Sequence, residues 1–158
     1  MTSSWTVEIE TQVPADRLFK AACVEWHNIG PKLFPGVISD VVLVSGSGGP
    51  GSIRQINYAP GSPCPLVKER LEFLDHDKLE TELFLLEGGD LGKYLKSART
   101  HFKVEPKGSG SVLKVVENYE PLPEAAGSDD YIKQEKEGIV GMIKATEAFL
   151  LANPDAFV

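Results

Sequence analysis

Cysteine is scarce in this chain: Cys23 and Cys64 are the only two among 158 residues. Two thiols cannot build a disulfide framework, so free thiols in a reducing cytosol are the expectation. Long apolar runs are missing as well. Nothing approaches the roughly 20 residues that a membrane-crossing helix needs, and no apolar segment precedes the first strand, so neither a span nor a signal peptide is expected. Positive charge is in deficit, with 16 Lys and Arg against 23 Asp and Glu and a formal net charge of −7. That excludes a protein that coats nucleic acid through phosphate contacts, and the acidic excess serves solubility. His27, His76 and His101 show no H-x-H or H-E-x-x-H spacing, so no metal site is expected. His76 falls in a turn between two aspartates and His101 on the outward face of its strand.

What the chain has in quantity is glycine at one place. Gly46-Ser47-Gly48-Gly49-Pro50-Gly51-Ser52-Ile53-Arg54 carries four glycines and a proline between two β-branched runs. As a string, Gly46, Gly48 and Gly51 fit the dinucleotide fingerprint G-x-G-x-x-G. That fingerprint needs a helix to begin at the loop, because the helix N-terminus holds the pyrophosphate. Here the alternating run Ile53-Arg54-Gln55-Ile56-Asn57-Tyr58 follows, which reads as a strand. Pro50 removes an amide, and Ser52 stands where a P-loop needs lysine. The loop therefore joins two antiparallel strands and holds no phosphate.

The rest of the chain reads as one domain, residues 1–158. Trp5, Val7 and Ile9 alternate with polar residues in a half-buried strand. Pro14-Ala15-Asp16 opens a helix with Leu18, Phe19, Ala22 and Cys23 as its apolar stripe. Gly30-Pro31 breaks the pattern, and a second short helix carries Ile29 and Leu33-Phe34 as far as Pro35-Gly36. Strands follow at Val41–Val44 and Ile53–Tyr58. The next, Leu66–Leu74, has Val67, Glu69, Leu71 and Phe73 on one face. Leu79, Thr81, Leu83 and Leu85 form another inward row, and Lys96, Ala98, Thr100, Phe102 and Val104 a further one. Leu113, Val115 and Tyr119 lie on the last strand, after a hairpin turn at Lys107-Gly108-Ser109-Gly110. Ser128-Asp129-Asp130 offers caps for a long helix that ends at Ala152, before Asn153-Pro154. Tyr131, Glu135, Gly138, Ile139, Met142, Thr146 and Phe149 form its inward stripe.

This order makes an α+β protein whose sheet must curve to cover the long helix. The inward rows contain Arg54, Glu69, Thr81, Lys96, Ala98, Thr100, Gly138 and Thr146. Small and polar residues do not fill a core densely, and buried polar groups cost free energy unless satisfied. A hollow, partly wetted interior between sheet and helix is the expectation, and a hollow interior is a ligand cavity.

The element order, the glycine loop, Lys68-Glu69-Arg70, Glu87-Gly88-Gly89 and the ending Leu150-Leu151-Ala152-Asn153-Pro154 resemble the class-ten pathogenesis-related plant proteins. These are the relatives of the major birch pollen allergen. The resemblance covers essentially the whole chain, and Trp26-His27 with the Ala-Asn-Pro-Asp-Ala ending is similar to the monocot branch. It implies a seven-stranded curved antiparallel sheet wrapped around a long C-terminal helix, with two short helices between strands 1 and 2. It implies an allergen-like, cytoplasmic, monomeric plant defence protein, with no cofactor and with neither membrane nor nucleic acid as main partner. The partner would be a small amphipathic metabolite or hormone of flavonoid, cytokinin, sterol or fatty-acid type. Carried over by position, the cavity lining is Ile38, Arg54, Ile56, Tyr58, Glu69, Thr81, Leu83, Leu85, Ala98, Phe102, Gly138 and Met142. Thr81 and Leu83 replace two large aromatics of the family, which removes hydroxyl anchors.

The resemblance also raises enzymatic alternatives. Positions credited with RNA cleavage in the family read Arg54, Lys96, Glu147 and Phe149 here. Acid–base cleavage needs two groups that exchange protons near neutral pH. Lys96 reverses the charge of a carboxylate, Phe149 has no hydroxyl, and Glu147 lies off the inward stripe, where a solvated surface glutamate is expected. Biosynthetic catalysis in the same cavity would need an acid–base pair such as Lys96 and Glu69. Against that, Lys96 is expected in water at the cavity mouth and Glu69 in a pair with Arg54. A phosphatase-inhibiting hormone receptor would need a Ser-Gly-Leu-Pro-like gate loop, and the chain has none.

Overall fold

The computed structural model describes residues 2–125 and 129–158. Strand β1 (Ser3–Thr11) is followed by α1 (Ala15–Phe19), a π-helical turn (Lys20–Val24) and α2 (Trp26–Leu33). Strands β2 (Ile38–Ser45), β3 (Ile53–Tyr58), β4 (Leu66–Asp75), β5 (Glu80–Gly88), β6 (Leu95–Lys107) and β7 (Gly110–Pro121) come next, then a short 3-10 turn (Pro123–Ala125) and the long helix α3 (Asp130–Ala152). The strands form one seven-stranded sheet in the order β1-β7-β6-β5-β4-β3-β2. Each pair is antiparallel. The sheet is a meander from β2 to β7, closed by β1 returning beside β7, and it wraps the long helix as the resemblance implied.

The core sits at one end. Strand β7 alternates buried and outward residues along most of its length, with Leu113 and Val115 fully buried. Leu18 and Phe19 of α1, Val13, Val104, Ile143 and Leu150 complete the same dry cluster. Strands β3 and β4 show no such alternation; their residues are mostly half-buried on both faces. The reason is that α3 rests on β1, α1, α2 and the π-helical turn and stands off from the middle strands. Arg17 holds the far end of α3, donating hydrogen bonds to the carbonyls of Leu150, Asn153 and Ala156 and so satisfying acceptors that a helix C-terminus leaves open. Near its start, Tyr131 stacks on Tyr94 with ring centroids 4.8 Å apart and meets Tyr119 edge-on.

Three local expectations are corrected. Helix α2 runs through Gly30-Pro31; the chain breaks earlier, at Glu25, whose φ is −104° and ψ 19°. Pro31 removes only the bond to the carbonyl of His27, an exposed residue whose carbonyl water can serve. In β4 a bulge between Leu71 and Phe73 turns Phe73 outward, against His101, and brings Leu74 to the core side. In β6 another irregularity, between Leu95 and Ser97, buries Leu95 and sends Lys96 outward to Glu120 at 3.6 Å. Helix α3 has the expected end; at its start Asp129 stands at the capping position without a side-chain capping bond, and Ser128 lies outside the described residues.

Candidate functional site

The glycine-rich loop joins β2 to β3, with no helix behind it. Gly46, Gly48 and Gly51 have positive φ, and Gly49 completes the turn. At Gly46 a Cβ would stand 2.4 Å from the Ser52 hydroxyl oxygen, which accepts a hydrogen bond from the Gly48 amide. The loop is pinned to β4: the Gly51 amide donates to the Leu71 carbonyl, and the Leu71 amide to Ser52. The glycines thus build a closed turn in which the Gly48, Gly51 and Ser52 amides are already bonded to the loop itself or to β4.

Where α3 stands off from the sheet, a cavity of about 790 Å³ remains. That is within the range of sites that take drug-sized molecules. Ile38, Arg54, Ile56, Tyr58, Glu69, Thr81, Leu83, Leu85, Phe102, Gly138 and Met142 all line it. Ala98 does not: it is buried opposite Tyr119, in the part of the sheet that the tyrosine cluster covers. Ala22, Cys23 and Trp26 close the wall on the side of the π-helical turn and α2. The Cys23 thiol is pushed up to about 12 by loss of water, partly offset by Arg54. It is therefore a packing group and not a nucleophile at neutral pH.

Two polar features interrupt the apolar wall. On β3 and β4, Arg54 Nε donates to Glu69 Oε1 at 2.6 Å. The two stand opposite each other in the strand register, and both side chains are largely buried. This cross-strand pair is the one expected from the sequence. Tyr58 is beside it, its hydroxyl pushed up to about 12 by burial and by Glu69.

The second feature is acidic. Glu117 of β7, Glu135 of α3 and Asp90 of the β5–β6 turn all line the cavity. Glu117 is 6% exposed. The Trp5 indole N–H donates to its Oε2 at 2.9 Å and the Thr100 hydroxyl to its Oε1 at 3.3 Å. Burial raises its pKa; the two donors oppose this and Asp90 adds to it. Glu135 is raised to about 8, first by burial, then by its hydrogen bond with Asp90 and by the nearby charge of Glu117. The sequence reading missed Glu117, although it shares the alternation of Leu113, Val115 and Tyr119; the helix stripe contained Glu135. Asp90 carried no signal beyond its place in a glycine-rich turn.

The enzymatic positions do not converge. Lys96 is 67% exposed on the outer side. Glu147 is not a solvated glutamate: it is 14% exposed, accepts from the Gln12 amide at 2.7 Å and pairs with Lys144. It ties α3 to the end of β1. No group of His, Cys, Asp and Glu fit for a metal ion occurs among the described residues. No helix among them is long and apolar enough to cross a membrane.

The profile of the Pathogenesis-related protein Bet v 1 family matches residues 1–153. The chain belongs to that family. Pathogenesis-related protein 1 of Asparagus officinalis, a monocot, is 49% identical over 159 residues, covering 99% of each chain. Among solved structures, that of Ara h 8.0201 superposes with a TM-score of 0.86 at 25% identity, covering 97% of this chain and 100% of its own. Norcoclaurine synthase of Thalictrum flavum gives 0.80 at 23% identity, covering 96% and 87%; at that identity the likeness is one of fold alone. This chain is thus a pathogenesis-related Bet v 1 protein with the fold of the allergens.

Gly138 and Gly141 sit on the cavity side of α3 with nothing within 4 Å of where a Cβ would stand. Glycine inside a helix costs roughly 0.5–1 kcal/mol relative to alanine. Gly138→Ala is therefore expected to raise the melting temperature, at roughly 2–4 °C per kcal/mol for a chain of this size. An unchanged or lower melting point would mean that the space beside the helix is not open.

Proposed function

We propose that this Bet v 1 protein binds small amphipathic molecules in the cavity under α3, as a monomeric, intracellular defence or stress-response protein. The single observation that carries this reading is the unfilled volume of about 790 Å³ with a predominantly apolar wall and a few convergent polar groups. Apolar burial supplies most of the affinity, about 25 cal/mol per Å² before ordering costs. The Arg54–Glu69 pair and the Tyr58 hydroxyl orient a polar end of the guest. Helix α3 is the movable wall, weakened by its two glycines. Two free thiols, Cys23 and Cys64, accord with a reducing compartment.

Flavonoids, cytokinins, sterols and fatty acids are the ligand types to screen. A guest that binds the folded state raises the melting temperature by linkage, about 2.7 kcal/mol of stabilisation at a hundredfold excess over Kd. Scanning calorimetry against that panel checks the reading. A flat response across all four classes, with no displacement of a fluorescent apolar probe, sinks it.

A further inference from the structure

Taking the cavity to be the binding site, its charge content says more about the guest. The charged residues on its wall are Arg54, Glu69, Asp90, Glu117, Glu135 and Glu137. Arg54 is spent on Glu69 in a closed ion pair. Glu137 is exposed at the rim. Asp90, Glu117 and Glu135 are left, delivered by three different elements to one end of the cavity. Among the described residues none of the three forms an ion pair with a lysine or arginine: the charge that acts on Glu117 is Asp90, and those that act on Glu135 are Glu117 and Asp90. Glu117 is the most telling member, buried to nine-tenths with both oxygens held in place by neutral donors. Buried carboxylates are normally paired with a cation or neutralised. Here the fold fixes the orientation of the acidic groups and leaves the counter-charge to be supplied.

We propose that the natural guest carries a protonated amine, held at the Asp90–Glu117–Glu135 end with its apolar body along Ile56, Leu83, Leu85 and Phe102. A carboxylate guest would add a like charge to an uncompensated acidic end. A neutral guest would bring no counter-charge to it. An ammonium group satisfies it with charge-assisted hydrogen bonds, roughly twice as strong as neutral ones. Such a cation also takes the place of a proton. Burial, which raises Glu135 to about 8, keeps its carboxyl protonated at pH 7, and the groups facing it are Asp90 from the β5–β6 turn, Glu117 from β7, Tyr58 from β3 and Tyr131 from its own helix. An incoming ammonium releases that proton to buffer.

The test uses three probes of matched length: 4-phenylbutylamine, 4-phenylbutan-1-ol and 4-phenylbutyrate. Titration calorimetry at pH 7 is expected to give the order amine, alcohol, carboxylate, with the amine about tenfold tighter than the alcohol. Repeating the amine titration in phosphate and in Tris should show a heat difference that reports proton release, absent for the alcohol. Glu135→Gln should reduce the amine's advantage over the alcohol several-fold and abolish the buffer-dependent heat. A single cooperative thermal melt of the variant at pH 7 shows that it folds. An alcohol that binds as tightly as the amine overturns the amine proposal while the cavity reading stands. Failure of all three probes and of a fluorescent apolar probe overturns both.

Discussion

Glu135→Gln is expected to make the protein markedly more stable at pH 8 and above, and to leave it unchanged near pH 4.5. The glutamate is raised to about 8 in the folded state against an ordinary value of 4.5, first because burial penalises its charge. Below 4.5 it is protonated in folded and unfolded chains alike, and glutamine is its near-isostere. Between 4.5 and 8 the unfolded chain gives up the proton and the folded chain keeps it. The folded protein then binds more protons than the unfolded, and stability falls as pH rises. Above about 8 the loss is complete. A tenfold difference in proton affinity between the two states is worth about 1.4 kcal/mol, so even half of this displacement amounts to a few kcal/mol. At roughly 2–4 °C per kcal/mol, the variant should melt at least about 5 °C above the parent at pH 9. The two melting curves should converge below pH 5.

Other carboxylates act in a separate window. Glu80 is held below its ordinary value chiefly by Lys103, Asp75 by the Lys78 amide and Glu10 by Lys107. Their contribution is lost only as pH falls below the usual carboxylate range. Surface pairing and cavity burial thus have opposite signs, and stability should peak in mildly acid solution. Thermal melts of parent and variant from pH 4 to pH 9 read both limbs. A constant offset across that range would show that Glu135 titrates normally.

The sequence was most legible where one face of a strand is dry. In β1 and β7 every slip of register would expose an apolar side chain, so alternation points the right way: Trp5, Ile9, Leu113 and Val115 are all buried. It was least legible where the sheet bends. The bulges near Leu71 and Leu95 each displace the register by one residue, which moved Phe73 and Lys96 to the outer face. No glycine or proline lies in β4 near Leu71, and at the second place Pro121 stands opposite Leu95. The bend itself is part of what keeps the middle strands off the helix, so alternation failed in the strands that shape the cavity. Six of the twelve lining positions drawn by resemblance lie on β3 and β5; Ala98 lies outside the cavity, opposite Tyr119 of β7. Glu117 stood in plain sight in an apolar row. A carboxylate in such a row reads as an edge of the core, and only the indole of Trp5, distant by 112 residues in sequence, explains how it is held there.

Arg54→Ala is the substitution expected to cost most. It leaves Glu69, 15% exposed on its side chain, without the guanidinium that stands 2.6 Å away. Removing one member of a buried pair typically costs about 3–5 kcal/mol, because the remaining charge is stranded. With some water access from the cavity, the lower part of that range is expected, about 3 kcal/mol. Replacing both residues, as Arg54→Met with Glu69→Leu, should recover most of that loss, since apolar side chains of similar size avoid the desolvation of both charges. The pair would then be a device for placing charge in the cavity wall and not a stabilising strut. Urea unfolding of the two single variants and the double variant gives the coupling energy directly. A double variant as unstable as Arg54→Ala alone would show instead that the ion pair stabilises the β3–β4 contact in its own right. Because Arg54 is the only cation on the wall among the described residues, the same double variant also separates stability from recognition: it removes one positive and one negative charge together, and the acidic end at Glu117 and Glu135 keeps its excess.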